Sequence, residues 1–133
     1  MAALPQPRQL VLIAPWVDLT LTGPGVEEAQ AHDPWLTRTG LIAAGTAWAV
    51  GDDPAQPKLS PINGSFDGLA PIAVYIGTRD LLLPDVLRLT KLVQPASVDL
   101  TVCPGGLHVY PLLPGPEGRA TANEIVRRIR NPK

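Results

Sequence analysis

Two side chains able to carry a proton, Asp80 and His108, stand in loops that each follow a run of strand character. Asp80 lies just past the apolar run Ile72-Ala73-Val74-Tyr75-Ile76, in Gly77-Thr78-Arg79-Asp80-Leu81-Leu82, and His108 lies in the glycine-rich stretch Pro104-Gly105-Gly106-Leu107-His108-Val109-Tyr110. Open α/β sheets place their working residues at the carboxyl ends of strands, so loops that follow adjacent strands can bring an acid and an imidazole together. A carboxylate that orients an imidazole base makes two thirds of a hydrolytic triad. The last third is a hydroxyl held on a tight strand-to-helix turn, and the serines Ser60, Ser65 and Ser97 do not sit between glycines on such a turn. Ser60, directly before Pro61, reads as a turn residue.

The other chemically capable residues have plainer readings. Asp85 competes with Asp80 for the role of acid, but it falls at the start of a helix, where a carboxylate supports free backbone N–H groups, and capping is expected of it. His32 has no second histidine or cysteine at metal-ligand spacing and reads as a loop residue. Asp52 and Asp53, beyond a helix end and before Pro54, are expected to be solvated turn residues. Cys103 reads as a small apolar residue at a strand end. Neither a metal nor a cofactor is expected.

These loops need a scaffold, and its elements are legible. Gln9 to Ala14 is a near-continuous apolar run suited to a buried parallel strand, and Ile72–Ile76 reads as a strand buried on both faces. Ser97 to Val102 alternates, with Val98, Leu100 and Val102 on one face, as in a strand nearer the sheet's edge. Between the first two strands, residues 17–69 form an excursion far longer than a normal crossover, and an insertion at that edge is expected to make a lid or cap. Within it, 26–31 is a short helical piece and His32-Asp33-Pro34-Trp35 a break. Thr37 is placed as the N-cap of a helix of about three turns, with Leu41, Ala44 and Trp48 on one face and Gly51 as its stop. Pro84 opens a helix whose inner face is Val86, Leu89 and Val93, with Pro95 marking its end. A last helix follows Pro116, with Glu117 in its first turn and Arg127, Arg128 and Arg130 in its last, matching the helix dipole.

Bulk composition narrows the function classes. With 133 residues the chain makes one domain, and a net charge of −1 from 11 basic and 12 acidic residues offers no field for nucleic acid or an anionic membrane. A single cysteine forms no internal disulfide and suits a reducing cytoplasm. The longest apolar run near the start, Leu10 to Trp16, is too short to span a bilayer and lacks the marks of a leader, so a soluble chain is expected. The 16 prolines are scattered at element boundaries and punctuate a fold.

The order strand, long excursion, strand, acid loop, helix, strand, histidine loop, helix is that of the last part of an α/β-hydrolase. Four segments, Ala14-Pro15-Trp16-Val17-Asp18-Leu19, Leu59-Ser60-Pro61, Gly77-Thr78-Arg79-Asp80-Leu81-Leu82 and Gly106-Leu107-His108-Val109-Tyr110, together resemble the hormone-sensitive-lipase-like esterases and lipases. The resemblance runs from about Leu10 to Ile129. It implies a single partial α/β-hydrolase domain over 1–133, of about three parallel strands with flanking helices and a cap-like insertion at 17–69. It also implies Asp80 as the acid, His108 as the general base, and small or medium acyl esters as substrates. The family's Gly-Asp-Ser-Ala-Gly elbow and His-Gly-Gly-Gly oxyanion segment are not found in the 133 residues. Such a chain is expected to be a fragment or one piece of a split enzyme, inactive alone, with a catalytically silent binding or assembly module as the alternative. In the family the strand equivalent to Leu10–Ala14 is internal to the sheet. Left without its neighbour here, that apolar edge is expected to drive self-association unless the complementary half covers it.

Overall fold

The computed structural model describes residues 4–93 and 97–131. Three parallel strands, β1 (Leu10–Ile13), β2 (Ile72–Gly77) and β3 (Val98–Cys103), form one sheet in the order β1-β2-β3. The register pairs Leu10 with Ile72 and Ile13 with Tyr75 on one side, and Ile72 with Val98 and Gly77 with Cys103 on the other.

β2 is central, and all six of its residues are buried. Successive side chains of a strand point to opposite faces, so one continuous apolar run feeds two separate cores. Ile72, Val74 and Ile76 face a large cluster that includes Val17, Leu21, Val26 and Ile62. That cluster is completed by Leu81, Leu82, Val86, Leu89 and Val93, from the segment holding helix α3 (Leu83–Leu92). Ala73 and Tyr75 face the opposite side, where Tyr110 and Ile125 pack on them, the latter from helix α4 (Pro116–Arg130). Val98, Leu100 and Val102 of β3 join the larger core, as their alternation predicts.

β1 lies at the sheet's edge, as expected of a strand left without its outer neighbour, though its apolar run by itself suggests a buried strand. Its four residues are only half-buried, because β2 covers one edge and the other edge has no strand on it among the described residues. An apolar composition reports how a strand is buried in a complete sheet, whereas accessibility depends on which neighbours are present.

The excursion between β1 and β2 carries helices α1 (Val26–Gln30) and α2 (Arg38–Ala49) and a 3-10 turn at Pro61–Asn63. The Thr37 hydroxyl accepts the Gly40 N–H at 3.1 Å, the N-cap expected of it. The buried stripe of α2 is the expected one only in part: Leu41 packs against the larger core, but Trp48 is 74% exposed, Ala44 is exposed, and the deeply buried positions are Gly45 and Ala49. A Cβ at Gly45 would meet Leu19 and Trp16 more tightly than an ordinary contact, so a small residue suits this position. Size thus outweighed hydrophobicity in selecting the face. α2 stops at Val50, which is left-handed at φ 49°, one residue before Gly51.

α3 buries Val86 and Leu89, and Val93 behind them, as their spacing predicts. Pro95, expected to mark its end, lies outside the described residues. α4 carries Glu117 in its first turn and Arg127, Arg128 and Arg130 in its last. Among the described residues, no helix is long and apolar enough to cross a membrane.

Candidate functional site

The loops after β2 and β3 leave the sheet side by side and are laced together. Thr78 donates its backbone N–H to the Cys103 carbonyl at 3.0 Å, and Arg79 donates to the Gly106 carbonyl at 3.0 Å. The Gly105 N–H returns a bond to the Thr78 hydroxyl at 2.8 Å. Gly77 lets this happen: a Cβ there would overlap the backbone of Gly106, so only glycine allows the two loops to approach so closely.

The lacing sets Asp80 against His108. His108 Nδ1 lies 2.9 Å from Asp80 Oδ2, and the carboxylate is wholly buried while the imidazole side chain is 25% exposed. Asp80 Oδ1 accepts the Leu82 N–H at 2.9 Å, which orients the carboxylate and serves the start of α3. The Asp80 carbonyl accepts the Leu83 N–H at 3.1 Å, so one residue both opens the helix and meets the histidine. The hydrogen bond to Asp80 raises the pKa of His108; burial opposes this, and the charges of Asp80 and Asp33 add to it. Val109, next to His108, is left-handed at φ 51°, a costly conformation for a β-branched residue. The Tyr110 N–H bond to the Leu107 carbonyl, at 3.1 Å, closes the turn that holds it there.

Asp85 sits elsewhere and does not cap. It is 1% exposed, its carboxylate oxygens accept no hydrogen bond among the described residues, and Arg88 lies 3.3 Å away. With Asp80 already serving the Leu82 N–H, Asp85 is turned inward beneath the loop at Gly23, where an added Cβ would strike its Oδ1. Burial pushes its pKa up to about 6, with Arg88 opposing and Asp18 reinforcing the rise. Asp18 shares the same Arg88, at 2.7 Å, and binds the Thr20 N–H and hydroxyl. Burial pushes the Asp18 carboxyl up as well, but the hydrogen bonds from Thr20 and Arg88 outweigh it and hold it below the usual range.

The remaining sequence candidates are placed as follows. Ser60 is fully buried; its hydroxyl donates to the Pro54 carbonyl at 2.7 Å and accepts the Leu19 N–H at 2.8 Å, a tie across the excursion. Ser65 accepts the Asp67 N–H in a local turn. Asp53 accepts the Ala55 N–H and Asp52 pairs with Lys58, both at the surface. His32 is exposed, and its carbonyl accepts from Arg79 Nε at 3.3 Å. No group of His, Cys, Asp and Glu among the described residues is arranged to hold a metal ion.

Sequence reading missed two residues that shape the site. Thr78 is one, bonded to the histidine loop. Asp33 is the other, its Oδ2 accepting the Leu81 N–H at 2.8 Å directly beside the acid. The signal for Asp33 was present in Asp33-Pro34, since aspartate before proline favours a turn closed by its own side chain.

A sequence model of the family described as alpha/beta hydrolase fold matches residues 1–112. The chain belongs to the α/β-hydrolase fold family. Within it the chain falls among hormone-sensitive-lipase-like esterases and lipases. It is 36% identical over 94 residues to an esterase of Acinetobacter venetianus, covering 69% of this chain and 31% of that one. It is 31% identical over 124 residues to an acetyl-hydrolase of Streptomyces hygroscopicus, covering 89% of this chain and 41% of that one. The crystal structure of an esterase from the bacterial hormone-sensitive lipase family superposes with a TM-score of 0.86 at 29% identity, over 95% of this chain and 44% of the other. The chain therefore spans less than half the length of these relatives. In this α/β-hydrolase the three parallel strands and their flanking helices are a carboxyl-terminal portion of the fold.

Proposed function

We propose that this chain supplies the acid and the base of a Ser-His-Asp carboxylic-ester hydrolase. The nucleophile and the oxyanion donors would come from a segment outside these 133 residues. The observation that carries the reading is the 2.9 Å approach of His108 Nδ1 to a fully buried Asp80 carboxylate. His108 Nε2 makes no hydrogen bond among the described residues, and in this reading it is the nitrogen that meets the substrate. With its Nδ1 proton donated to Asp80, His108 has a basic Nε2. That nitrogen takes the proton of an incoming serine hydroxyl as its oxygen bonds to the ester carbonyl carbon, and returns it to the departing alcohol. Water then follows the same route to release the acid. Asp80 stabilises the imidazolium in between. Because Asp80 raises the pKa of His108, the base is lost to protonation as pH falls through that raised value, and turnover falls with it.

The substrates are small or medium acyl esters, taken under a cap formed by residues 17–69. That no serine elbow lies within the chain, and that the Ser60 hydroxyl is already committed, favours a second reading, a catalytically silent binding or assembly module. We place the protein in the cytoplasm on the strength of its single free thiol.

Hydrolysis of a short p-nitrophenyl ester separates the readings. The chain alone should act no faster than a control protein bearing an exposed imidazole, since a base without nucleophile and oxyanion hole retains little catalysis. Mixed with a complementary half that carries the serine elbow, it should gain saturable turnover, which His108→Ala lowers by about a thousandfold or more. Mixing that restores nothing would favour the silent module.

The free edge of β1 belongs to the same proposal. Among the described residues no strand pairs with the outer edge of Leu10–Ile13, an apolar strand with Arg8, Gln9 and Pro15 at its ends. A strand of the complementary half would pair there, and without that half a second copy takes its place. Sedimentation of the purified chain should therefore give a dimer or larger species that reverts to a one-to-one complex when the half is added. A well-folded monomer whose Leu10–Ile13 amides exchange rapidly would count against it.

A further inference from the structure

The loop of the acid is gripped from two directions. On one side, the Arg79 N–H bonds the Gly106 carbonyl of the histidine loop. On the other, the residues flanking Asp80 reach into the segment between α1 and α2: Arg79 Nε donates to the His32 carbonyl at 3.3 Å, and the Leu81 N–H donates to Asp33 Oδ2 at 2.8 Å. The other Asp33 oxygen accepts the Trp35 and Leu36 N–H groups, each at 2.8 Å. A carboxylate is the only small side chain that accepts on both of its ends, so its charge and its fork are both in use.

We propose that Asp33 is a positioning residue for the Asp80–His108 pair. It fastens the acid loop to the excursion between β1 and β2, and so holds the Asp80 carboxylate in place on His108. This deepens the esterase reading and rests on it. Asp33 makes no hydrogen bond to His108, so its effect on the imidazole travels through space and through the seating of Asp80. The charged groups around the ring are few. Residues 104–109 of its own loop carry none, Asp80 faces Nδ1, Arg79 turns to the His32 carbonyl, and Asp33 is the second carboxylate whose charge raises the pKa of His108. Among the described residues, the excursion thus meets the acid loop at His32 and at Asp33. A movement of residues 31–37 would shift the acid as well as any cover over the site.

The test is the ring titration of His108 followed by NMR in the full 133-residue chain, with His32→Gln used to assign the second histidine. Asp33→Asn removes the charge and leaves one oxygen for two sets of donors. It should lower the pKa of His108 by about half a pH unit and speed exchange of the Leu81 amide about tenfold or more. Asp33→Glu, which restores the charge, should recover most of the titration shift. Faster exchange at Leu81 with an unchanged His108 titration would make Asp33 a structural tie only and overturn the proposal, as would no change in either. Asp80→Asn is the control for the underlying reading. If it leaves the His108 titration at the wild-type value, the acid–base pair itself is wrong, whatever Asp33 does.

Discussion

Gly77→Ala is expected to cost about 3 kcal/mol of unfolding free energy and to part His108 from Asp80. Gly77 ends β2 opposite Cys103, and a Cβ on it would overlap backbone atoms of Gly106, not the yielding tip of a side chain. The histidine loop would have to retreat. The Arg79–Gly106 and Thr78–Cys103 bonds would go with it, and these are the bonds that hold the two loops in register. Since whole domains are stable by only about 5–15 kcal/mol, the loss would be a large part of the total. Urea unfolding measures the first effect. The second appears as loss of the hydrogen-bonded Nδ1 proton of His108 in the NMR spectrum and a lowered His108 pKa, because the Asp80 bond is the main cause of its rise. An alanine variant with wild-type stability and an intact Nδ1 proton would show that the loops have another way to pack.

Asp85→Asn is expected to stabilise the chain at neutral pH and to flatten part of its pH dependence. The folded-state pKa of Asp85 is raised from an ordinary 3.8 to about 6, so between these values the folded state holds a proton that the unfolded state has released. Stability is therefore fully retained below the unfolded value and falls as pH rises through the folded one. A shift of this size is worth at most about 3 kcal/mol once both states are ionised. Arg88 keeps its 2.7 Å partner Asp18 when Asp85 is neutralised, so the substitution leaves no buried cation without an anion. Urea midpoints of wild type and variant at pH 4 and 7.5 should diverge in the variant's favour as pH rises. The amide is itself buried, which sets the offset between the two curves but not their divergence. Parallel curves would mean that Asp85 titrates normally.

Several features of the fold and the site could be read from local chemistry. β2 was recognisable because a run of six consecutive buried residues needs apolar side chains on both faces. The Thr37 cap and the inner face of α3 were recognisable because capping and helical periodicity act over three or four residues. That Asp80 and His108 would come together was recognisable because strand-end loops in a parallel sheet emerge on one edge, and their side chains lie within a hydrogen bond. Motif resemblance reached the family, since the four segments span nearly the whole chain.

What the tertiary structure alone decided depends on contacts between residues far apart in the chain. The buried face of α2 turned on how closely Leu19 and Trp16 approach Gly45, which no periodicity records. Asp85 looked like a cap because an acid in a first turn usually is one, yet Asp80 had already taken the available N–H and left Asp85 buried against Arg88 and Asp18. β1 has the composition of a core strand and the accessibility of an edge; the resemblance already pointed to the missing neighbour, and the folded chain decided how far the strand is exposed. The binding of Leu81 by Asp33, 48 positions away, lies beyond any window of local sequence. Local sequence could suggest the Asp33 turn; only the fold could bring that turn beside the acid.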